Sequence, residues 1–291
     1  MKYVPLLVAG ALSAGAIGCG VIVRSILRPN GELAFKDYGS PADHGLAAQP
    51  VELPGSVHGW YADAPGSELA VLLVHGRSRA SGWMYPIAQR LFPHASVMAI
   101  DLPGHGASPK GFVSYGVRES KAVADALRWL ENAQQRPIVV VGVSMGGASS
   151  ILALANEPSE RVAAMVTIGT YADIASVFRR LAKNMRLPWS LARPMAGLAG
   201  KIGGFDLHAH RPLDAVTRLN VPYLAIQGDQ DELVPTSAAM RLAAAAKPGL
   251  ARAAYYRGEH DNPSHVEMLE ILQGFIDDTR TKLSAAAPAT A

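Results

Sequence analysis

Five short apolar runs recur along the chain, at residues 69–74, 97–100, 138–141, 162–168 and 221–226. They are continuous rather than alternating, and most close in glycine-containing turns. Strands buried on both faces of a parallel sheet read this way. Between them lie helical stretches such as Arg118 to Leu130, with apolar positions at Val123, Leu127 and Leu130. A weaker strand-like run, Ala253 to Tyr256, precedes a candidate helix from Ser264 to Asp277. The alternation predicts an α/β fold with a doubly wound, mostly parallel sheet.

Two regions depart from this rhythm. Residues 171–214 carry two helical stripes, Ile174, Phe178, Leu181 and Met185, then Leu191, Met195, Leu198 and Ile202, broken by Leu187-Pro188-Trp189. The spacing predicts a pair of amphipathic helices. Their other face carries Arg179, Arg180, Lys183, Arg186, Arg193 and Lys201, which suits a solvated surface or the anionic headgroups of a membrane. At the start, residues 4–23 hold no charge, and at about 1.5 Å per residue they would just span a bilayer core. Residues 1–28 therefore predict a membrane anchor holding an extracytoplasmic domain. The alternatives are a secretory signal ending near Ala14-Gly15-Ala16 and a lipoprotein signal acylated at Cys19.

The remaining boundaries follow from composition. Residues 29–50 mix Gly, Pro, Asp and Ala without a period and suit a linker or a lead-in along the surface. Residues 51–283 form one large domain, and the Ala-rich stretch 284–291 a flexible tail. Of the 291 residues, 49% are hydrophobic and 18% charged, which excludes disorder. The 27 basic residues exceed the 24 acidic ones by only 3, too little for the basic surface a nucleic-acid partner requires. A single cysteine excludes an internal disulfide and any Cys-rich zinc site. His208 and His210 lack an evident third ligand, so neither metal nor cofactor is expected.

The chemistry lies in turns after the strands. Gly142-Val-Ser144-Met-Gly146 joins a buried strand to a helix of small residues, the pattern of a nucleophile elbow. Glycines at its ends permit a sharp turn that lifts the Ser144 hydroxyl above the sheet. A serine hydroxyl is hardly ionised at neutral pH, so it needs a base and an acid that orients the base. Asp231, in Gly228-Asp229-Gln230-Asp231, follows the last long apolar run and is chosen over Asp229, which reads as a turn residue. His260, on a loop after Ala253 to Tyr256, is chosen as base over His265, which falls in the candidate helix.

Elbow, acid and base occur in the order Ser, Asp, His. With Leu73-Val-His75-Gly76, Asp101-Leu-Pro-Gly104-His-Gly106-Ala-Ser108 and Val234-Pro235, the chain resembles the α/β-hydrolase fold superfamily in its serine-hydrolase branch. The resemblance covers roughly residues 51–283, and it implies that the helices of residues 171–214 form a small helical cap over the active site. It implies an oxyanion hole formed by the backbone amides of Arg77 and Met145, with His75 and Asp101 shaping loops. The expected activity is hydrolysis of a carboxylic ester of a small-molecule acyl or lipid-like substrate, bound in part by Phe178, Leu181, Met185 and Trp189 of the cap. A serine peptidase or thioesterase would use the same atoms, and a non-catalytic hydrolase-like binding protein is the alternative of another class.

Overall fold

The computed structural model describes residues 20–29, 31–260 and 262–286. Its centre is an eight-stranded sheet: β1 (Ala48–Leu53), β2 (Val57–Ala62), β3 (Ala70–Val74), β4 (Ser96–Ile100), β5 (Ile138–Val143), β6 (Val162–Ile168), β7 (Tyr223–Gly228) and β8 (Ala251–Tyr256). The spatial order is β1-β2-β4-β3-β5-β6-β7-β8. β1 and β2 pair antiparallel, as do β2 and β4, while β3 to β8 run parallel. All six expected strands are present. The β1–β2 hairpin was not anticipated, because β1 is half polar and contains Pro50. Proline is tolerated there because β1 is an edge strand.

The helices are α1 (residues 20–27), α2 (Gly31–Ala34), α3 (Tyr85–Leu91), α4 (Glu119–Ala133), α5 (Met145–Asn156), α6 (Ile174–Asn184), α7 (Trp189–Gly203), α8 (Pro212–Ala215), α9 (Ser237–Ala245) and α10 (Val266–Ala286). They cover both faces of the sheet, so every residue of β3, β4 and β5 is buried. Side chains alternate between two cores. Ala70, Leu72, Val74, Ile138 and Val140 join the core beneath α4, α5 and α9; Val71, Leu73, Val139 and Val141 join the one beneath α3 and α10. Because β3 to β8 are parallel, the loops that leave their carboxyl ends gather along one edge, where an open α/β sheet binds its ligands.

The N-terminal membrane anchor expected over residues 1–28 is not supported. Among the described residues no helix is long and apolar enough to cross a membrane. Residues 1–19, including Cys19 and the Ala14-Gly15-Ala16 pattern, lie outside the described residues. In the described end of the segment, α1, Val23 and Leu27 are buried in the core while Val21 is exposed. The extracytoplasmic placement rests on that anchor and is withdrawn with it, while the secretory and lipoprotein alternatives fall on residues outside those described. The lead-in continues against the domain, with Ala34 and Leu46 buried.

The two helices of residues 171–214 depart from their sequence pattern at Met185, which is exposed, and along α7. In α7, Leu191, Leu198 and Ile202 are exposed, and the inward face is built from Ala196, Ala199, Gly200 and Gly203. A Cβ on Gly203 would approach the Leu27 side chain to 2.7 Å, so close packing of α7 on α1 selects small residues. Hydrophobic periodicity identified the helix but chose the wrong face. Of the basic residues on these helices, Arg179 lies over the Trp189 ring at 5.5 Å and Arg180 bonds to backbone carbonyls of the Asp231 loop, while Lys183, Arg186, Arg193 and Lys201 are exposed.

Candidate active site

The elbow is set by backbone crowding. Ser144 sits between β5 and α5 at φ 52°, ψ −115°, a strained conformation for a residue with a Cβ. A Cβ on Gly146 would overlap the carbonyl oxygens of Val74 and His75, and one on Gly142 would lie 2.6 Å from the Cα of Gly147. Glycine at both positions therefore lets α5 begin directly against β3 and β5. The Ser144 amide donates to the Ile168 carbonyl (2.8 Å), and the Thr170 hydroxyl donates to the Ser144 carbonyl (3.1 Å). The positive end of α5 thus lies beside the Ser144 hydroxyl, where it favours developing negative charge.

Three side chains chosen from the sequence meet here. Ser144 Oγ lies 3.0 Å from His260 Nε2, and His260 Nδ1 lies 2.6 Å from Asp231 Oδ2. A carboxylate can only accept, so Nδ1 carries the proton and the Nε2 lone pair faces the hydroxyl. Asp231 is buried, and its oxygens are fully engaged: Oδ1 accepts from the amides of Leu233 (2.8 Å) and Val234 (2.7 Å), and Oδ2 also accepts from Gln227 Nε2 (2.7 Å). The runners-up sit elsewhere in the loops. Asp229 accepts from the Gly258 amide (3.1 Å), and His265 Nε2 bonds to the Arg257 carbonyl (3.0 Å) while its ring packs on Tyr256.

The loop after β3 lies against Ser144; a Cβ on Gly76 would stand 3.3 Å from that of Ser144. Two buried histidines shape it. His75 Nε2 accepts the Leu102 amide (2.9 Å), so its Nδ1 bears the proton and donates to the Gly76 carbonyl (2.7 Å). Burial lowers the His75 pKa to about 4. His105 accepts the Ser78 amide at Nε2 (3.0 Å) and donates from Nδ1 to the Pro103 carbonyl (3.1 Å); burial, then the neighbouring His75, lowers its pKa to about 3. Both rings are thus neutral scaffolding for residues 76–78. Asp101 accepts from the amides of Ser81 (2.6 Å) and Ala107 (2.9 Å) and is likewise loop architecture. Met145 opens α5, whose first N–H groups have no carbonyl partner within the helix.

A cavity of about 250 Å³ adjoins this loop beside α6 and α7. Phe178, Leu181, Met185 and Trp189 all line it, together with Arg77, Tyr115 and the α1 residues Ile22, Ser25 and Ile26. Sequence reasoning missed several members of the site. His105 had a signal, standing between Gly104 and Gly106 in a loop already singled out; Gln227, Thr170 and the α1 residues had none. Among the described residues, no group of three His, Cys, Asp or Glu is placed to hold a metal ion.

Comparison with known proteins agrees with this architecture. A family model described as serine aminopeptidase, S33, matches residues 66–202. The pimeloyl-[acyl-carrier protein] methyl ester esterase of Xylella fastidiosa is 26% identical over 260 residues, covering 74% of this chain and 98% of its own. An esterase of Pyrococcus furiosus superposes with a TM-score of 0.66 at 20% identity, over 89% of this chain and 96% of its own. A membrane phospholipase A described as a bacterial virulence factor does so at 0.60 and 19% identity, over 96% and 99%. At such identity the structural likenesses establish the fold alone. With the eight-stranded sheet, the elbow and the family match together, the chain has the α/β-hydrolase fold and is an enzyme of that fold.

Proposed function

We propose that this enzyme hydrolyses a carboxylic ester of an apolar acyl group through an acyl-enzyme at Ser144. The observation that carries the reading is the unbroken relay of 3.0 Å and 2.6 Å from Ser144 through His260 to Asp231. As Ser144 Oγ bonds to the ester carbonyl carbon, its proton passes to His260 Nε2. The negative charge formed on the carbonyl oxygen is received by the amides of Arg77 and Met145 at the mouth of α5. Collapse of the tetrahedral intermediate expels the alkoxide, which takes the proton from His260 and leaves as alcohol. Water then adds to the acyl-enzyme by the same route, and the products are one alcohol and one carboxylic acid. Asp231 holds the tautomer of His260 throughout.

The acyl group fits the cavity lined by Phe178, Leu181, Met185 and Trp189, whose surface is largely apolar. The esterase named in Xylella fastidiosa supports an oxygen ester as substrate. The aminopeptidase description of the family model favours an amide as the second reading, since the same relay would serve it.

The test is labelling with a fluorophosphonate probe, followed by parallel assays of ester, thioester and aminoacyl-amide panels with wild type and Ser144→Ala. Labelling confined to Ser144 with preferred turnover of esters is expected. Turnover of amides alone would move the activity to the second reading, and absence of labelling would leave a binding protein.

A further inference from the structure

We propose that α1 is the acyl-length gauge of this site, with Ile26 and Ile22 acting as successive specificity-determining positions along the wall of the cavity. The inference rests on the ester-hydrolase reading for its substrate and on the following geometry for its location. Ile22 and Ile26 stand one helical turn apart and both line the cavity, while Val23 and Leu27, also one turn apart, are buried in the core. One stripe of α1 therefore anchors the helix and the neighbouring stripe walls the pocket.

A helix end normally leaves its last carbonyls without partners. Here the domain supplies them. Arg77 Nη2 donates to the carbonyls of Ser25 (2.9 Å), Ile26 (2.9 Å) and Arg28 (2.7 Å). The Tyr115 hydroxyl donates to the Ile26 carbonyl (2.8 Å), and the Val113 amide to that of Leu27 (2.8 Å). The Arg77 cation also complements the negative end of the helix dipole. Arg77 belongs to the loop whose Gly76 packs on Ser144, so the clamp fixes α1 relative to the nucleophile.

The clamp gives the wall a direction. Ile26 is at the clamped end beside Arg77, and Ile22 lies about 6 Å farther along the axis, at about 1.5 Å per residue. Arg77 connects this wall to the Gly76 loop at Ser144, so in the gauge an acyl chain enters past Arg77 and meets Ile26 before Ile22. Each methylene excluded from an apolar pocket costs about fourfold in affinity. Bulk at Ile26 should cut off shorter chains than bulk at Ile22.

The experiment measures kcat/KM of the full chain on a series of p-nitrophenyl esters from butyrate to laurate, for wild type, Ile26→Trp and Ile22→Trp. In parallel, calorimetry follows laurate binding to the same proteins. Ile26→Trp is expected to lower the laurate-to-butyrate ratio by about tenfold or more and to move the optimum to a shorter chain than Ile22→Trp does. Laurate binding should weaken in the same order. Profiles that move by less than about twofold, or in the reverse order, overturn the gauge while leaving the esterase reading in place. If the wild type turns over no ester, that reading fails by itself. The gauge then stands on laurate binding weakened in the stated order, and falls if laurate does not bind or binds all three proteins alike. Should the tryptophan variants not fold, Ile26→Ala and Ile22→Ala decide the matter: a shift towards longer chains supports the gauge, and an unchanged optimum overturns it.

Discussion

Asp231 and His260 are joined by one short bond, Oδ2 to Nδ1 at 2.6 Å, while the other oxygen of the same carboxylate is held by two backbone amides at 2.7 and 2.8 Å. The carboxylate is thereby oriented before it meets the imidazole, and only one of its neighbours can be the histidine. Asp231→Asn is expected to lower kcat by on the order of 10⁴-fold, because an amide can hold the wrong tautomer. Asp229→Asn keeps an acceptor for the Gly258 amide and should change kcat by less than about threefold. Steady-state kinetics on one ester separates the two; equal losses would return the choice of acid to Asp229.

Gln227 is fully buried and donates to the same oxygen that faces His260. Gln227→Met preserves volume and removes that donor. A hydrogen bond to a charged group contributes about 1.5–3 kcal/mol, so kcat should fall about tenfold or more with KM little changed. A rise in KM alone would show that Gln227 shapes the pocket instead.

Gly146 and Gly197 offer a contrast in glycine roles. A Cβ at Gly146 would meet backbone carbonyls of β3 and the residue after it, which cannot yield as a side chain can. Gly146→Ala should destabilise the protein by about 1–3 kcal/mol or more and abolish labelling of Ser144. Gly197, inside α7, has nothing within 4 Å of its would-be Cβ. Gly197→Ala should raise stability by about 0.5–1 kcal/mol. Denaturant titration of both variants checks the pair.

His75 and His105 couple folding to pH. Both have folded pKa values below the ordinary 6.5, lowered by burial to about 4 and about 3. Below 6.5 the unfolded chain takes up protons that the folded chain refuses, so stability is lost as pH falls and is fully present above about 7. The slope approaches about 1.4 kcal/mol per pH unit for each histidine. Melting measured between pH 7 and pH 5 should show this loss, and His105→Asn should flatten it. A wild-type profile without slope in that window would mean that the rings are not held neutral.

The α/β rhythm was legible because a doubly wound sheet demands continuous apolar strands. β3 and β5 are buried at every position and stood out as runs, whereas β1, half polar and carrying Pro50, did not. Ser144, Asp231 and His260 were legible because each stands in a turn directly after a strand, and the parallel sheet sends all such turns to one edge. What a side chain would touch across the fold left no comparable mark. Gln227 beneath Asp231, His105 beneath the Gly76 loop and the small-residue face of α7 all depend on neighbours distant in the chain. α1 shows the division most plainly. An uncharged segment satisfies a bilayer and a protein interior equally well, and periodicity cannot tell which solvent it meets. The carbonyl partners offered by Arg77, Tyr115 and Val113 decided that its described end packs on the domain, because only the folded domain brings those donors to one helix terminus.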